Sequence, residues 1–214
     1  MEPSCQLTQP CTQRGLERRQ KILNAAKTVF IEQGYANASI NEIVRLSGGS
    51  LGTIYRFFGS KLGLFEAFFQ QMTHEVFSHF EAQVLNQGDI ETNLMSFGRQ
   101  MQRLMFEHDA LAIYRLVLTE QSADKADIQR IFFENGPKKL NRILSHYFEQ
   151  QVQTGRLQIA DCDIAAYQFI DMLKGPYHFQ AMFGQAVSQE ECERTLAQAV
   201  SLFLHGARVQ KHAE

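Results

Sequence analysis

The sequence predicts an all-α protein of about nine helices. Apolar residues recur at intervals of three and four positions along most of the 214 residues, which is the spacing of one helix face. The chain has only four prolines, and it lacks a long alternating run of Val, Ile and Thr that would indicate strands. Apolar residues make up 44% of the composition, which is enough to bury a core.

Residues 39–61 are the most informative stretch, because they predict two short helices joined by a glycine turn. Ser39 and Glu42 have the spacing of a capping box at the start of the first helix. Two glycines stop that helix, Ser50 can cap the second, and Ser60 can cap a long helix that follows, to about residue 84. A helix of barely two turns is unstable alone. Such a pair, held by a third helix over residues 22–34, indicates a helix-turn-helix whose second helix enters the DNA major groove.

These same residues resemble the DNA-binding domain of the TetR/AcrR (tetracycline-repressor) family over about residues 18–66. The resemblance rests on residues 22–34, Ile43, residues 52–58, Ser60-Lys61 and Leu64-Phe65. Leu51 departs from the family, which commonly has a polar residue there, often Lys. A second resemblance, over about residues 112–184, is to the AefR-like C-terminal domain found in part of the family.

Several residues of the helix-turn-helix and its flanks are predicted to contact DNA. Hydroxyl, guanidinium and ammonium groups bind phosphates and base edges, and helix N-termini favour phosphate. The predicted contacts are Arg18, Ser39, Ser50, Leu51, Gly52, Thr53, Tyr55, Arg56 and Lys61. Tyr55, Lys61, Ser39 and Thr53 are assigned to phosphates, and Ser50, Leu51 and Arg56 to bases.

The charge distribution agrees with a DNA-binding N-terminal region. Residues 1–61 hold eight Lys and Arg residues against four acidic residues, whereas the rest of the chain holds thirteen against nineteen. A basic end on an acidic body suits a protein that binds DNA through that end. A random fluctuation of charge is the alternative.

The predicted domains are a disordered tail at 1–13, the helix-turn-helix domain at 14–61 and a helical ligand-binding and dimerisation domain at 62–214. The body is rich in Phe, Tyr and Met, which line adaptable apolar sites but equally fill a helical core. The resemblance favours a pocket, predicted to be lined by Met101, Met105, Phe106, Tyr114, Phe132, Phe148, Tyr167, Met172 and Tyr177. It also implies a homodimer formed by the last two long helices, with an interface at Phe169, Phe179, Met182, Phe183, Leu196, Val200, Phe203 and Leu204.

Enzymatic function is not expected. The sequence lacks a glycine-rich phosphate loop, a zinc-protease histidine pair and a serine nucleophile elbow. Neither a cofactor nor a metal site is predicted, and four scattered cysteines do not indicate a disulfide framework, although a redox-sensing cysteine stays open. The expected location is the cytoplasm, because neither a signal peptide nor a membrane-spanning run is present.

The predicted function is a ligand-responsive transcriptional regulator. The resemblance implies a repressor that binds a palindromic operator as a dimer and is released by a small hydrophobic or aromatic effector. An activator or a global DNA-binding protein with the same N-terminal domain is one alternative. A protein-interaction module that keeps the helix-turn-helix only as structure is another.

Overall fold

The computed structural model describes residues 12–79 and 88–207, and these residues form eleven helices. The helices are α1 (Gln13–Asn37), α2 (Ile40–Ser47), α3 (Leu51–Phe58), α4 (Lys61–His79), α5 (Ile90–Phe106), α6 (His108–Thr119), α7 (Lys125–Asn135), α8 (Pro137–Gln153), α9 (Cys162–Lys174), α10 (Tyr177–Met182) and α11 (Gln189–Ala207). The all-α prediction is confirmed. Among the described helices, none is both long and apolar enough to cross a membrane.

The described residues pack as two compact units, and the division falls within α4 and within α6. The first unit comprises residues 12–74 and 112–135, and the second comprises residues 75–79, 88–111 and 136–207. The packing therefore does not divide at residue 61. The functional boundary between 61 and 62 stays a prediction, and the tail predicted at 1–13 lies almost entirely outside the described residues.

The first unit is built around a cluster of aromatic rings. Phe30 stacks on Tyr35 at 5.8 Å between ring centroids and meets Phe65 edge to face at 5.3 Å. Phe69 of α4 then packs against Phe132 of α7 at 5.7 Å. Such ring pairs add about 0.5–1.5 kcal/mol each beyond their buried area. This core fixes α1 and α4 to α7, although Phe69 and Phe132 are 63 positions apart in the chain.

The second unit is a bundle in which α5 packs against α9, α10 and α11, and α8 packs against α9. Leu94, Phe97, Phe148 and Leu196 are fully buried in its core. Gly98 is required there, because a Cβ at this position would lie 2.2 Å from the Leu196 side chain. The bundle therefore brings α5 and α11 into close contact.

Beyond the helix-turn-helix, the sequence predicts helix caps at Asp89, Asp109 and Asp161 or Asp163, and a second capping box formed by Ser188 and Glu191. Several of the predicted helix starts are confirmed. The side chains of Ser50, Asp89 and Asp161 each accept the amide of the third residue after them. Ser60 accepts the amide of Gly63 at 3.0 Å in front of α4. The second predicted capping box is also present: Glu191 accepts from the Ser188 amide at 2.8 Å, and the Ser188 hydroxyl accepts from the Glu191 amide at 3.2 Å.

Other local predictions are wrong. Ser39 makes no side-chain capping bond. Glu42, the other half of the predicted box, accepts from the Gln33 side-chain amide at 2.7 Å and lies 3.7 Å from Arg45. Asp109 does not cap α6, which already begins at the preceding residue.

The predicted count of about nine helices was too low. Gly136 and Pro137 separate α7 from α8, where the sequence predicts a kink or a new helix. Gly175 (φ 50°) and Pro176 separate α9 from α10, where the sequence predicts only a kink. The predicted end of the long α4 helix near residue 84 lies outside the described residues.

Candidate nucleic-acid interface

The turn between α2 and α3 is tight and is made by glycine. Gly48 has left-handed backbone angles (φ 65°, ψ 27°), which favour a residue without a side chain. The Gly49 amide donates to the Val44 carbonyl at 3.1 Å and closes the turn. Ile43 and Ile54, one from each helix, are completely buried. The two short helices are thus fixed through their inner faces, as a helix-turn-helix requires.

The opposite face of α3 is open to solvent. Leu51 is 42% exposed and Tyr55 is 45% exposed, and Gly52 and Arg56 are also exposed. Helix geometry places Gly52 and Arg56 on the side away from Ile54. The structure therefore brings four of the predicted DNA-contact residues onto one outward surface. We call this surface, made of Leu51, Gly52, Tyr55 and Arg56, the outer face of α3.

Two hydroxyls at the start of α3 bond to each other. The Ser50 and Thr53 hydroxyl oxygens lie 2.9 Å apart, and the Ser50 oxygen also accepts the Thr53 amide at 3.2 Å. Ser50 therefore acts first as the helix cap, which satisfies an amide that α3 otherwise leaves without an acceptor. The exposed hydroxyl of Ser39, by contrast, makes no capping hydrogen bond.

Arg18 and Lys61, both predicted to contact DNA, form hydrogen bonds within the first unit. An Arg18 guanidinium nitrogen donates to the Ser47 carbonyl at 3.2 Å, at the end of α2. The Lys61 ammonium donates to the Ala36 carbonyl at 3.1 Å and lies 4.7 Å from the centre of the Tyr35 ring. Partial burial lowers the pKa of Lys61. Both cations thus satisfy carbonyls at helix ends, where positive charge is favourable.

A polar junction that the sequence did not indicate joins the end of α1 to the loop between α6 and α7. The buried Tyr35 hydroxyl donates to an Asp124 carboxylate oxygen at 2.5 Å, across 89 positions of the chain. Burial, followed by this hydrogen bond, raises the pKa of Tyr35. We call this contact, together with Glu120, the Tyr35 junction. A tyrosine directly after the kink at Gly34 was the one available sequence signal.

Glu120 completes the Tyr35 junction and is only 4% exposed. Its carboxylate accepts the amides of Gln121 at 3.0 Å and Ser122 at 2.7 Å, and also receives a backbone hydrogen bond from Ala36. Burial alone would raise the pKa of this carboxyl, but the amide donors outweigh it and hold the pKa below its ordinary value. Glu120 therefore stays ionised and links the loop to the end of α1.

The nine predicted pocket residues are divided between the two units. Tyr114 and Phe132 belong to the first unit, where their rings meet edge to face at 5.0 Å. In the second unit, Met101, Met105 and Phe148 are buried in the core, whereas Tyr167 is 38% exposed. The remaining three, Phe106, Met172 and Tyr177, are half-buried.

An open depression of about 570 Å³ on the second unit is lined by none of these residues. Its lining is Asp89, Glu91, Thr92, Met95, Ser96 and Arg99. The lining is mostly polar, so this depression is not the apolar pocket that the sequence predicts.

Five of the predicted dimer-interface residues contribute to the core of their own subunit. Phe169, Leu196, Val200 and Leu204 are each at most 3% exposed there. Phe203 is half-buried and stacks on Phe148 at 4.8 Å. Their role in a dimer stays a prediction.

The other predicted interface residues lie nearer the surface. Phe179 is 69% exposed and Phe183 is 80% exposed, while Met182 is half-buried. Leu202, on the outer side of α11, is 57% exposed and was not predicted.

Two family models match the chain. The model of bacterial regulatory proteins of the tetR family matches residues 22–68, and the model of the AefR-like transcriptional repressor C-terminal domain matches residues 92–206. The second match alone covers more than half of the sequence. The chain belongs to the TetR family. It is a transcriptional regulator with a helix-turn-helix DNA-binding domain, and both resemblances stated from the sequence are confirmed.

Several regulators are similar over nearly the whole chain. The HTH-type transcriptional regulator YvkB of Bacillus subtilis is 24% identical over 187 residues, which cover 87% of this chain and 95% of YvkB. A TetR-family regulator structure from Mesorhizobium loti matches with a TM-score of 0.82 and 25% identity, over 92% of this chain and 100% of that one. The flavonoid-responsive regulator FrrA shares the fold with a TM-score of 0.77 at 24% identity, over 91% and 98% of the two chains.

Proposed function

We propose that this TetR-family regulator is a ligand-responsive repressor, not an enzyme, that binds a palindromic operator as a homodimer. The observation that carries the proposal is the outer face of α3. Ile54 and Phe58 anchor that helix from within, while the side chains of Leu51, Tyr55 and Arg56 remain exposed on a unit with a basic sequence. A recognition helix needs this combination of a fixed inner face and an open outer one.

The side chains have different roles in the proposed complex. The exposed hydroxyls of Ser39 and Tyr55 bind phosphates, which fix the position of α3 in the groove. Arg56, whose guanidinium lies 5.2 Å from the centre of the Phe57 ring, donates to a base edge or a nearby phosphate. Arg18 and Lys61 contribute mainly by supporting helix ends, because a phosphate contact would compete with their bonds to carbonyls.

The dimer places two α3 helices in successive major grooves, about 34–36 Å apart. Phe179 and Phe183 of the second unit, together with Leu202, are large exposed apolar side chains that support a contact with a second copy. Burying them stabilises the dimer by about 1.5–3 kcal/mol for each side chain that becomes fully covered. The proposed interface therefore uses the exposed residues of α10 and α11 and not the buried stripe first predicted.

The proposed effector is a small apolar or aromatic molecule. This proposal is supported by the methionine and aromatic side chains of the second unit, which are typical of adaptable apolar sites. They are the buried Met101 and Met105 and the half-buried Phe106, Met172 and Tyr177. Such a ligand lowers operator affinity only through a difference in its affinity for the DNA-bound and released conformations, typically about 1–3 kcal/mol.

A gel-shift experiment tests the proposal. The full-length protein is mixed with labelled DNA from upstream of its own gene, in the presence of excess non-specific DNA. We expect a discrete complex, and Arg56→Ala weakens it at least about tenfold if one contact of 1–3 kcal/mol is lost per half-site. Arg142→Ala, which removes an exposed cation from α8, is the matched control. The proposal is refuted if no discrete complex forms with upstream DNA or with any duplex selected from a random library.

The direction of regulation needs a second measurement. A reporter gene placed under the bound promoter is compared in cells with and without the gene for this protein. A repressor gives higher reporter expression when the gene is deleted. Lower expression would instead identify an activator, and an effect on every promoter tested would identify a global DNA-binding protein.

A further inference from the structure

One side of the outer face of α3 is apolar. Leu51 and Tyr55 are one helical turn apart, so their side chains are neighbours, and both are more than two-fifths exposed. The first turn of α3 carries no acidic residue. The hydroxyls of Ser50 and Thr53 are hydrogen-bonded to each other. The exposed side chain at the first position of α3 is thus a leucine, which cannot form hydrogen bonds.

We propose that Leu51 determines sequence specificity by contacting the 5-methyl group of a thymine in each operator half-site. This inference rests on the proposed function. Residues at the N-terminal end of a recognition helix meet base edges in the major groove. The thymine methyl is the apolar group that the four base pairs present there, and apolar side chains pair with it.

The same leucine also selects against other bases. A guanine edge offers only acceptors at this position, and a cytosine edge offers an amino donor. Leu51 cannot hydrogen-bond to either, so its approach would remove water from a polar group without replacing the lost hydrogen bond. Discrimination therefore comes both from an attractive contact with the methyl group and from an unsatisfied polar group with the wrong base.

Replacing thymine by deoxyuridine tests this inference directly, because it removes only the methyl group. An operator is first selected from a random duplex library with the full-length protein. Each thymine is then replaced by deoxyuridine, symmetrically in both half-sites, and the Kd is measured by fluorescence anisotropy at one fixed salt concentration. We expect one thymine position at which the loss is about fourfold per half-site and about fifteenfold for the dimer.

Variants assign the effect to Leu51. Leu51→Ala should bind the thymine and deoxyuridine operators with nearly equal Kd, because the side chain that senses the methyl is gone. Leu118→Ala, which shortens a 66%-exposed leucine of α6 outside the helix-turn-helix, should keep the full difference. Thermal unfolding of each variant checks that the fold is unchanged.

The outcomes separate the two proposals. If operators are bound but no thymine responds to loss of its methyl group, or if Leu51→Ala keeps the full response, then the assignment of Leu51 is overturned and DNA binding stands. If no duplex is selected at all, the proposed function fails, and the role of Leu51 fails with it.

Discussion

Replacing Gly52 by alanine should make the protein more stable and make it bind DNA less tightly. Gly52 lies in the first turn of α3, and no neighbouring atom lies within 4 Å of the place where its Cβ would be. Packing within the chain therefore does not require glycine. Glycine costs a helix about 0.5–1 kcal/mol relative to alanine, so Gly52→Ala should raise the Tm by about 1–4 °C.

The expected loss of DNA binding has a geometric cause. Gly52 lies beside Arg56 on the outer face of α3, so its backbone can come closer to DNA than any residue with a side chain. A methyl group at this position would keep α3 further from the DNA and weaken the neighbouring contacts with bases, each worth about 1–3 kcal/mol. We expect operator affinity to fall at least about tenfold. Affinity is measured by fluorescence anisotropy, and the Tm of the same protein is measured by calorimetry.

Gly206→Ala is the matched control for this prediction. Gly206 lies in α11, outside the helix-turn-helix, and also has open space where a Cβ would be. It should gain similar stability and keep operator affinity. Light scattering should show an unchanged dimer, since Gly206 lies one turn after Leu202 of the proposed interface. A Gly52→Ala protein with wild-type affinity would refute the close approach of α3 to DNA. A lower Tm would instead refute the conclusion that this position has room for a side chain.

Three further predictions concern stability and assembly. Tyr35→Phe should lower the free energy of unfolding, measured in urea, by about 1–3 kcal/mol. Asp124→Ala, made in the Tyr35→Phe protein, should lower it little further, and strictly additive effects of the two substitutions would exclude their coupling. Folding lowers the pKa of Glu120, so this residue stabilises the protein at neutral pH and the contribution is lost as the pH falls below the pKa of Glu120 in the unfolded chain. Glu120→Gln should therefore reduce the loss of stability at acid pH. The free energy of unfolding measured against pH checks this, and an unchanged profile would contradict it. Phe179→Ser combined with Phe183→Ser should give a folded monomer by light scattering, whereas a dimer of unchanged affinity would exclude this interface.

Helix starts were predictable because a cap is a local contact. Ser50, Asp89 and Asp161 each bond an amide three positions ahead, so a short stretch of sequence contains both partners. In the box predicted at Ser39, Glu42 instead found a partner in Gln33, on a different helix. Local spacing says nothing about such competing partners.

The exposed side of α3 was largely predictable, whereas the burial of the apolar stripe of α11 in its own subunit was not. In a short helix with one polar face, the repeat of 3.6 residues per turn indicates which side is buried and which is exposed. In α11, however, the stripe containing Leu196, Val200 and Leu204 is apolar whether it faces the core of its own subunit or a partner. The Tyr35 junction was out of reach because Tyr35 and Asp124 are 89 positions apart and no local pattern pairs them.

The contribution of α7 to the first unit limits how this regulator can be recombined with its relatives. A chimera that takes only residues 12–74 would separate Tyr35 from Asp124 and remove the ring that packs on Phe69. The transplanted piece would then expose aromatic surface and tend to aggregate. Exchange of operator specificity between family members should therefore either carry residues 112–135 along with the N-terminal helices or be confined to the exposed residues of α3.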